Sequence, residues 1–429
     1  MKRNYYTFRI EDIYLFKLKL LYWSAKYKIV SFLDNNEYYS SYSKYELLVG
    51  VECIKRFDIK ENFFSSLSSF VNDTNDWIFG HFNYDIKNYI EDLDSNNIDY
   101  INFPEAFLFV PEIVFILQKN ALTIGIMQTD ANAVFEEINH QQIPLNNLPP
   151  VNVISRMSKD EYIQNIKKLQ QHILRGECYE INYCQEFFAE NTSVSPAAVY
   201  HLLTQISPNP FCCFYKIDDK CLLCASPERY LKKNGDNIIS QPIKGTAKRG
   251  ADENEDLKIK KDLFSNKKER KENVIVVDLV RNDLSRICKE GSVHVEELGE
   301  VYTFPGVHQM ISTVKGKLQP DAAFGDIIKA TFPMGSMTGA PKKRVMQLIE
   351  KYEKTKRGIY SGTVGYITPE KDFDFNVVIR SIMYNQTNKY VSYQVGSAIT
   401  FESDAESEYE ECLVKAAAIT KILSGKLKK

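Results

Sequence analysis

A lysine stands directly before Gly245-Thr246 in the stretch Gln241-Pro-Ile-Lys-Gly-Thr-Ala-Lys-Arg-Gly250. The glycine predicts a sharp bend, and the apolar and small neighbours predict that the Lys244 ammonium is drawn partly out of water. Desolvation lowers a lysine pKa, and a neutral lysine amine is a nucleophile. Upstream, Ser226-Pro-Glu228 offers a carboxyl able to protonate a leaving oxygen. A lysine in a glycine turn is more often a solvated surface charge, so this pair alone leaves both readings open.

Two further carboxylate pairs have helical spacing. Glu269 and Glu272 lie three apart in Lys268-Glu-Arg-Lys-Glu-Asn273, as do Glu408 and Glu411 in Glu408-Tyr-Glu-Glu-Cys412. On a helix each pair shares one face. Carboxylates from two facing helices suit magnesium, which takes one or two of them, several waters and a substrate oxygen. The competing reading is a solvated helix face with surface ion pairs worth ~0–1 kcal/mol. The apolar run Val274 to Val280 predicts that the first helix is buried soon after Glu272. Arg380 is a lone cation in the apolar run Val377-Val-Ile-Arg380. It needs an anionic partner, either a substrate carboxylate or a structural bridge to Asp374 or another acid. Pro333 to Lys342 is a Gly/Ser/Thr loop without Walker spacing, able to hold an anion or shape a pocket.

These residues need elements to position them. Ser158 or Asp160 can cap a helix with Ile163, Ile166, Leu169 and Ile173 at helical spacing and Gly176 as its stop. Helices are expected at 268–285, 342–353 and 404–424. Strands are expected at 178–188, 210–216, 221–225, 300–304, 362–367, 374–384 and 390–397. Residues 1–150 carry short aromatic-rich strands, among them 28–34 and 77–84. Phe107 to Leu117 pairs with Ala121 to Ile126 as a hairpin turning at Lys119-Asn120. The proline- and asparagine-rich stretch Gln141 to Asn152 reads as a linker, separating an N-terminal region, 1–150, from a catalytic domain, 151–429. Helices interspersed with strands of mixed, partly alternating pattern favour an α+β or mixed-sheet protein.

Composition excludes several classes. The 429 residues carry 54 basic and 56 acidic side chains, which gives no general attraction for nucleic acid or an anionic membrane. No run reaches the ~18 apolar residues of a membrane span, and the N-terminus has no signal-peptide pattern, so a cytoplasmic protein is expected. The nine cysteines are odd in number and irregularly spaced, against a disulfide framework. Cys221-Leu-Leu-Cys224 has knuckle spacing but no second pair, so buried thiols are expected.

Taken together, the motifs closely resemble the chorismate-utilising enzymes, over roughly residues 155–425. That family includes anthranilate synthase component I, aminodeoxychorismate synthase component I, and the isochorismate and salicylate synthases. The resemblance is carried by Ser226 to Glu228, Pro242 to Thr246, Glu272 to Leu284, His308, Pro333 to Lys342, Tyr360-Ser-Gly, Arg380, Gly396 to Thr400 and Glu408 to Glu411. Residues 1–150 resemble the N-terminal part of anthranilate synthase component I loosely, as at Phe32-Leu-Asp34. The resemblance implies a large two-sheet antiparallel β-sandwich with surrounding helices and a site in the cleft.

It also implies roles. Lys244 would be a covalent nucleophile and Glu228 the general acid. Glu272 and Glu411 would hold Mg2+, with Glu269 and Glu408 holding its waters. Tyr360, Arg380 and the Gly396 backbone would grip the enolpyruvyl carboxylate of chorismate, with Lys415, His308 and Thr246 as further substrate contacts. Within the family, alanine before Gly-Thr marks anthranilate synthases and lysine marks aminodeoxychorismate synthases. The isochorismate and salicylate synthases place a base lysine where this chain has Glu180, and aminodeoxychorismate synthases usually carry glutamine there. The resemblance therefore implies amination of chorismate to 4-amino-4-deoxychorismate. Anthranilate synthesis and a non-catalytic chorismate-binding homologue are the alternatives. No glutaminase motif is present, so ammonia is expected from a separate glutamine amidotransferase subunit.

Overall fold

The computed structural model describes residues 3–38, 42–144, 148–304 and 306–425. Two antiparallel sheets with surrounding helices make an α+β fold, as expected. The larger sheet has twelve strands among the described residues. Its central run is Leu47–Val51, Ile29–Asp34, Phe211–Ile217, Lys220–Ser226, Ser381–Asn385, Tyr390–Ile399 and Glu180–Ala189. The smaller sheet has ten, and its order begins Ile243–Lys248, Val307–Lys317, Asn237–Gln241, Arg229–Asn234, Phe373–Asn376, Thr363–Ile367, Ile78–Phe82.

Period-two alternation explains the layering. On Phe211–Ile217, Cys213, Tyr215 and Ile217 join the core between the sheets. Cys212 and Phe214 turn to the second core, under the helices. Both faces are covered, so these strands read as unbroken apolar runs. All nine cysteines are free thiols and eight are buried.

Helices form where caps and periodicity coincide. Ser158 caps Lys159–Leu174 by accepting from the Glu161 N–H. Asn266 caps Lys267–Ser285, accepting from the N–H groups of Lys268 and Glu269. Asp404 caps Ala405–Leu423. None of the helices in the described residues is long and apolar enough to cross a membrane.

Two expected strands are each split. Residues 374–384 form Phe373–Asn376 in the smaller sheet and Ser381–Asn385 in the larger, with 377–380 crossing between them. Residues 107–117 break at Pro111-Glu112. Ala106–Val110 lies in the smaller sheet, whereas Ile113–Gln118 makes the expected hairpin with Ala121–Ile126 in the larger. The Arg3 guanidinium fills the break, donating to the carbonyls of Pro111 at 2.6 Å and Glu112 at 2.8 Å.

Chain on either side of residue 150 contributes to both sheets. Ile29–Asp34 pairs with Phe211–Ile217, and Ile78–Phe82 pairs with Thr363–Ile367. Within the expected linker, residues 145–147 lie outside the described residues. Beyond them, the Val151 N–H bonds to the Leu423 carbonyl at 2.6 Å.

Candidate active site

Lys244 sits in strand Ile243–Lys248, where the pairing with Val307–Lys317 slips between Ile243 and Thr246. The irregularity turns Lys244 inward, while Thr246 is exposed. Gly245 has φ +86°, and a Cβ there would lie 3.0 Å from Glu269 Oε2. Glycine thus serves both the turn and the approach of the carboxylate helix.

Lys244 is 8% exposed, and its Nζ donates to Glu180 Oε1 at 2.5 Å. Glu180 opens strand Glu180–Ala189 of the larger sheet, so this ion pair spans the two sheets. The expected neutral amine is not the resting state. Burial pulls Lys244 down, but the charges of Glu180, Glu272 and Glu228 outweigh it and raise the pKa to about 12. Local sequence showed the burial; it did not show the carboxylates arriving from other elements.

Glu228 lies between Lys220–Ser226 of the larger sheet and Arg229–Asn234 of the smaller. It is 3% exposed. Burial raises its pKa to about 7, with Ser336, Lys244 and Arg380 opposing. A carboxyl half-protonated at neutral pH is suited to general acid work.

Residues 377–380 wrap this acid. The Val377 N–H bonds to the Glu228 carbonyl at 3.0 Å, and the Ser361 N–H to the Val378 carbonyl at 2.9 Å. Arg380 is therefore a loop residue with φ +50°, not a strand residue, and Ser361 has φ +60°. Two non-glycine residues in the left-handed region at one spot mark a backbone held by its surroundings. Asp374 is not the partner of Arg380, because it is held by Arg229 at 2.8 and 3.0 Å. Arg380 makes no ion pair among the described residues, and burial lowers its pKa to about 10, with Glu228 opposing.

Tyr360 is buried, its hydroxyl 3.8 Å from Cys184 Sγ. Gly396 pairs with Cys184 across the sheet, and a Cβ there would come within 2.5 Å of Cys184 Sγ and the Tyr183 carbonyl. Lys415 Nζ donates to the Gly396 carbonyl at 3.1 Å and pairs with Glu411 at 2.7 Å. His308 is buried with both ring nitrogens engaged, by Asp256 at 2.9 Å and Thr303 at 3.0 Å. Its ring thus has protein partners on both sides.

The four helix glutamates converge. Burial raises Glu269, and Glu411 on the other helix raises it further. Glu272 is 7% exposed. Burial, and after it repulsion from Glu180 and Glu269, lift it to about 7 against Lys244. Its Oε1 is buried with no hydrogen-bond partner. The Lys268 ammonium lies 3.0 Å from Glu408 and 3.9 Å from Glu272, a cation between the two helices. Among the described residues, no three His, Cys, Asp or Glu are already gathered as a ligand set. Hard oxygen donors from two helices, with Glu269 raised by Glu411 and Glu272 raised by Glu269, nevertheless fit a divalent cation such as magnesium.

Sequence reasoning passed over a fully buried pair beneath the site. Arg357 binds Glu353 at 2.6 and 3.0 Å and donates to the carbonyls of Met337 at 2.6 Å and Asn182 at 2.8 Å. Glu353 accepts from the Cys184 N–H at 2.9 Å. The i,i+4 spacing of the pair was the available signal. The Pro333 to Lys342 loop shapes the pocket: Gly339–Ala340 pairs with Glu180 and Ile181.

A two-sheet α+β body thus brings a buried lysine, a raised carboxyl and an acidic cluster close together. The family of chorismate binding enzymes matches residues 25–421, and the chain belongs to it. It is 33% identical over 357 residues to an anthranilate synthase component I-like protein of Synechocystis sp., covering 81% of this chain and 73% of that one. It is 32% identical over 362 residues to aminodeoxychorismate synthase component 1 of Bacillus subtilis, covering 80% and 76%. The fold matches anthranilate synthase component I from Streptococcus pneumoniae with a TM-score of 0.76, at 25% identity over 89% of this chain and 93% of that one.

Proposed function

We propose that this chorismate-binding enzyme is aminodeoxychorismate synthase component I, converting chorismate and ammonia to 4-amino-4-deoxychorismate through a covalent adduct on Lys244. The observation that carries the reading is the buried Lys244 ammonium, near enough to a buried Glu228 carboxyl raised to about 7 for their charges to interact. Relatives at nearly equal identity bear both the anthranilate and the aminodeoxychorismate names, so overall similarity does not choose between them. The lysine supports the second: direct amination at ring carbon 2 needs no protein nucleophile, whereas amination at carbon 4 with two displacements uses one.

In this reading Arg380 pairs with the enolpyruvyl carboxylate, beside Tyr360 and the Gly396 backbone. Lys244 attacks ring carbon 2, the ring double bonds shift, and Glu228 protonates the departing carbon 4 hydroxyl. Ammonia then bonds to carbon 4, the double bonds return, and Lys244 is released. Glu272 and Glu411 would hold magnesium, with Glu269 and Glu408 around it. When bound, magnesium would anchor the ring carboxylate and withdraw electron density from the diene. A separate glutamine amidotransferase subunit supplies the ammonia.

Incubating the purified chain with chorismate, ammonium and magnesium should give 4-amino-4-deoxychorismate on chromatography. Glutamine alone should give no product until an amidotransferase subunit is added. Fluorescent anthranilate as the main product would overturn the assignment, and no turnover of chorismate would favour a homologue that only binds.

A further inference from the structure

We infer that Glu180 is a catalytic residue of this chain, the base that takes the proton from Lys244 so that its nitrogen can attack. The inference rests on the covalent reading of Lys244 above. Lys244 faces Glu228, Glu272 and Glu269, Glu411 and Lys415, and Glu180. Only Glu180, among the described residues, is in ion-pair contact with it, at 2.5 Å. An ammonium has no lone pair, so a proton must leave Nζ before any bond to carbon forms, and the atom touching Nζ is Glu180 Oε1.

The surroundings fix that acceptor. Glu180 is 1% exposed and lies at the first residue of its strand. The Tyr179 N–H bonds to the Ala340 carbonyl at 2.8 Å, and the Asn182 N–H to the Thr338 carbonyl at 2.7 Å. Gly339 presses so closely that a Cβ there would lie 2.0 Å from the Glu180 carbonyl oxygen. The second carboxylate oxygen, Oε2, is buried with no hydrogen-bond partner. Proton transfer converts a buried ion pair into two neutral groups. An amide at this position could accept a hydrogen bond from Nζ but not its proton.

The electron accounting closes. One Nζ–H bond breaks and an O–H bond forms on Glu180. The freed pair on Nζ bonds to ring carbon 2, the double bonds shift, and the carbon 4–oxygen bond breaks. Its pair stays on oxygen, which Glu228 protonates, and water leaves. When ammonia bonds to carbon 4, the bond between Nζ and carbon 2 breaks with its pair returning to Nζ. The neutral amine then recovers its proton from Glu180, and the new ammonium on carbon 4 returns one to Glu228.

The test follows Lys244 adduct formation by rapid quench and mass spectrometry with chorismate and magnesium, ammonia withheld, from pH 6 to 10. The ratio of E180Q to wild-type rate cancels the ionisation of Glu228. It should be 0.1 or less at pH 7 and climb with pH as the variant's lysine loses its proton to solvent. E180A, which leaves space beside Nζ, should be slow and be rescued by added formate or acetate. A ratio near one, or one that is low and independent of pH, with no rescue of E180A, would overturn the inference and leave Glu180 a positioning residue. Absence of both adduct and aminodeoxychorismate in the wild type would instead overturn the covalent reading itself.

Discussion

Glu228 gives the sharpest residue-scale expectation, because its state changes near neutral pH. In the unfolded chain a glutamate ionises near 4.5; folded, burial lifts this one to about 7. As a general acid it must carry its proton, so kcat/KM should fall as pH rises through 7. Stability moves the same way. Between 4.5 and 7 the unfolded chain has released a proton that the folded chain keeps, so folding weakens across that window and no further above it. At ~1.36 kcal/mol per unit, the loss approaches roughly 3 kcal/mol by pH 8. E228Q should lose about 10²–10⁴ in kcat and yet melt above the wild type at pH 8, an advantage that vanishes near pH 4.5. Equal melting at both values, with kcat retained, would remove Glu228 from the acid role. The glutamate and the lysine were both legible in the sequence, through motif spacing. Their charge states were not. Lys244 looked desolvated from its neighbours, but its state is set by Glu180, which comes from the other sheet.

At the scale of elements, the acidic helices Lys267–Ser285 and Ala405–Leu423 were readable because caps, spacing and apolar faces agreed. Their convergence is the part that needs testing. Glu411 raises Glu269 and Glu269 raises Glu272, and a divalent cation would relieve that repulsion. Magnesium should therefore raise the melting temperature of the wild-type protein without substrate, as any ligand of the native state does. E272Q or E411Q should each shrink that shift and weaken apparent magnesium affinity at least tenfold. E272Q should also stabilise the metal-free protein, since burial and the neighbouring Glu180 and Glu269 disfavour the charge it removes. A wild-type-sized magnesium shift in both variants would mean that the helices carry no metal between them. The run 374–384 shows the opposite case. Its alternation reads as one strand, but hydrogen bonds from residues 361, 362 and 228 pull 377–380 into a crossing, and Arg380 takes a left-handed turn there. Those partners are distant in sequence, so no local pattern announces the break.

For the whole molecule, the α+β class and two-sheet body followed from the resemblance, while the relation of residues 1–150 to the rest did not. Composition changes near Gln141 to Asn152 in the manner of a linker, yet backbone pairing ignores that point. Removing residues 1–150 would strip Ile29–Asp34 from Phe211–Ile217 and Ile78–Phe82 from Thr363–Ile367. It would also delete Leu48, Phe79, Phe82 and Phe109 from the core between the sheets. Each sheet would gain a long apolar edge with unpaired N–H and C=O groups, the kind of edge that recruits other chains. The fragment 151–429 should accordingly aggregate or lack a cooperative thermal transition, although it holds Lys244, Glu228, Arg380 and all four helix glutamates. Co-expression with residues 1–150 should restore a soluble pair that binds chorismate. A monomeric fragment that melts cooperatively and forms the Lys244 adduct would show instead that the catalytic domain folds alone, with the strands shared across residue 150 serving only to dock the N-terminal region onto it.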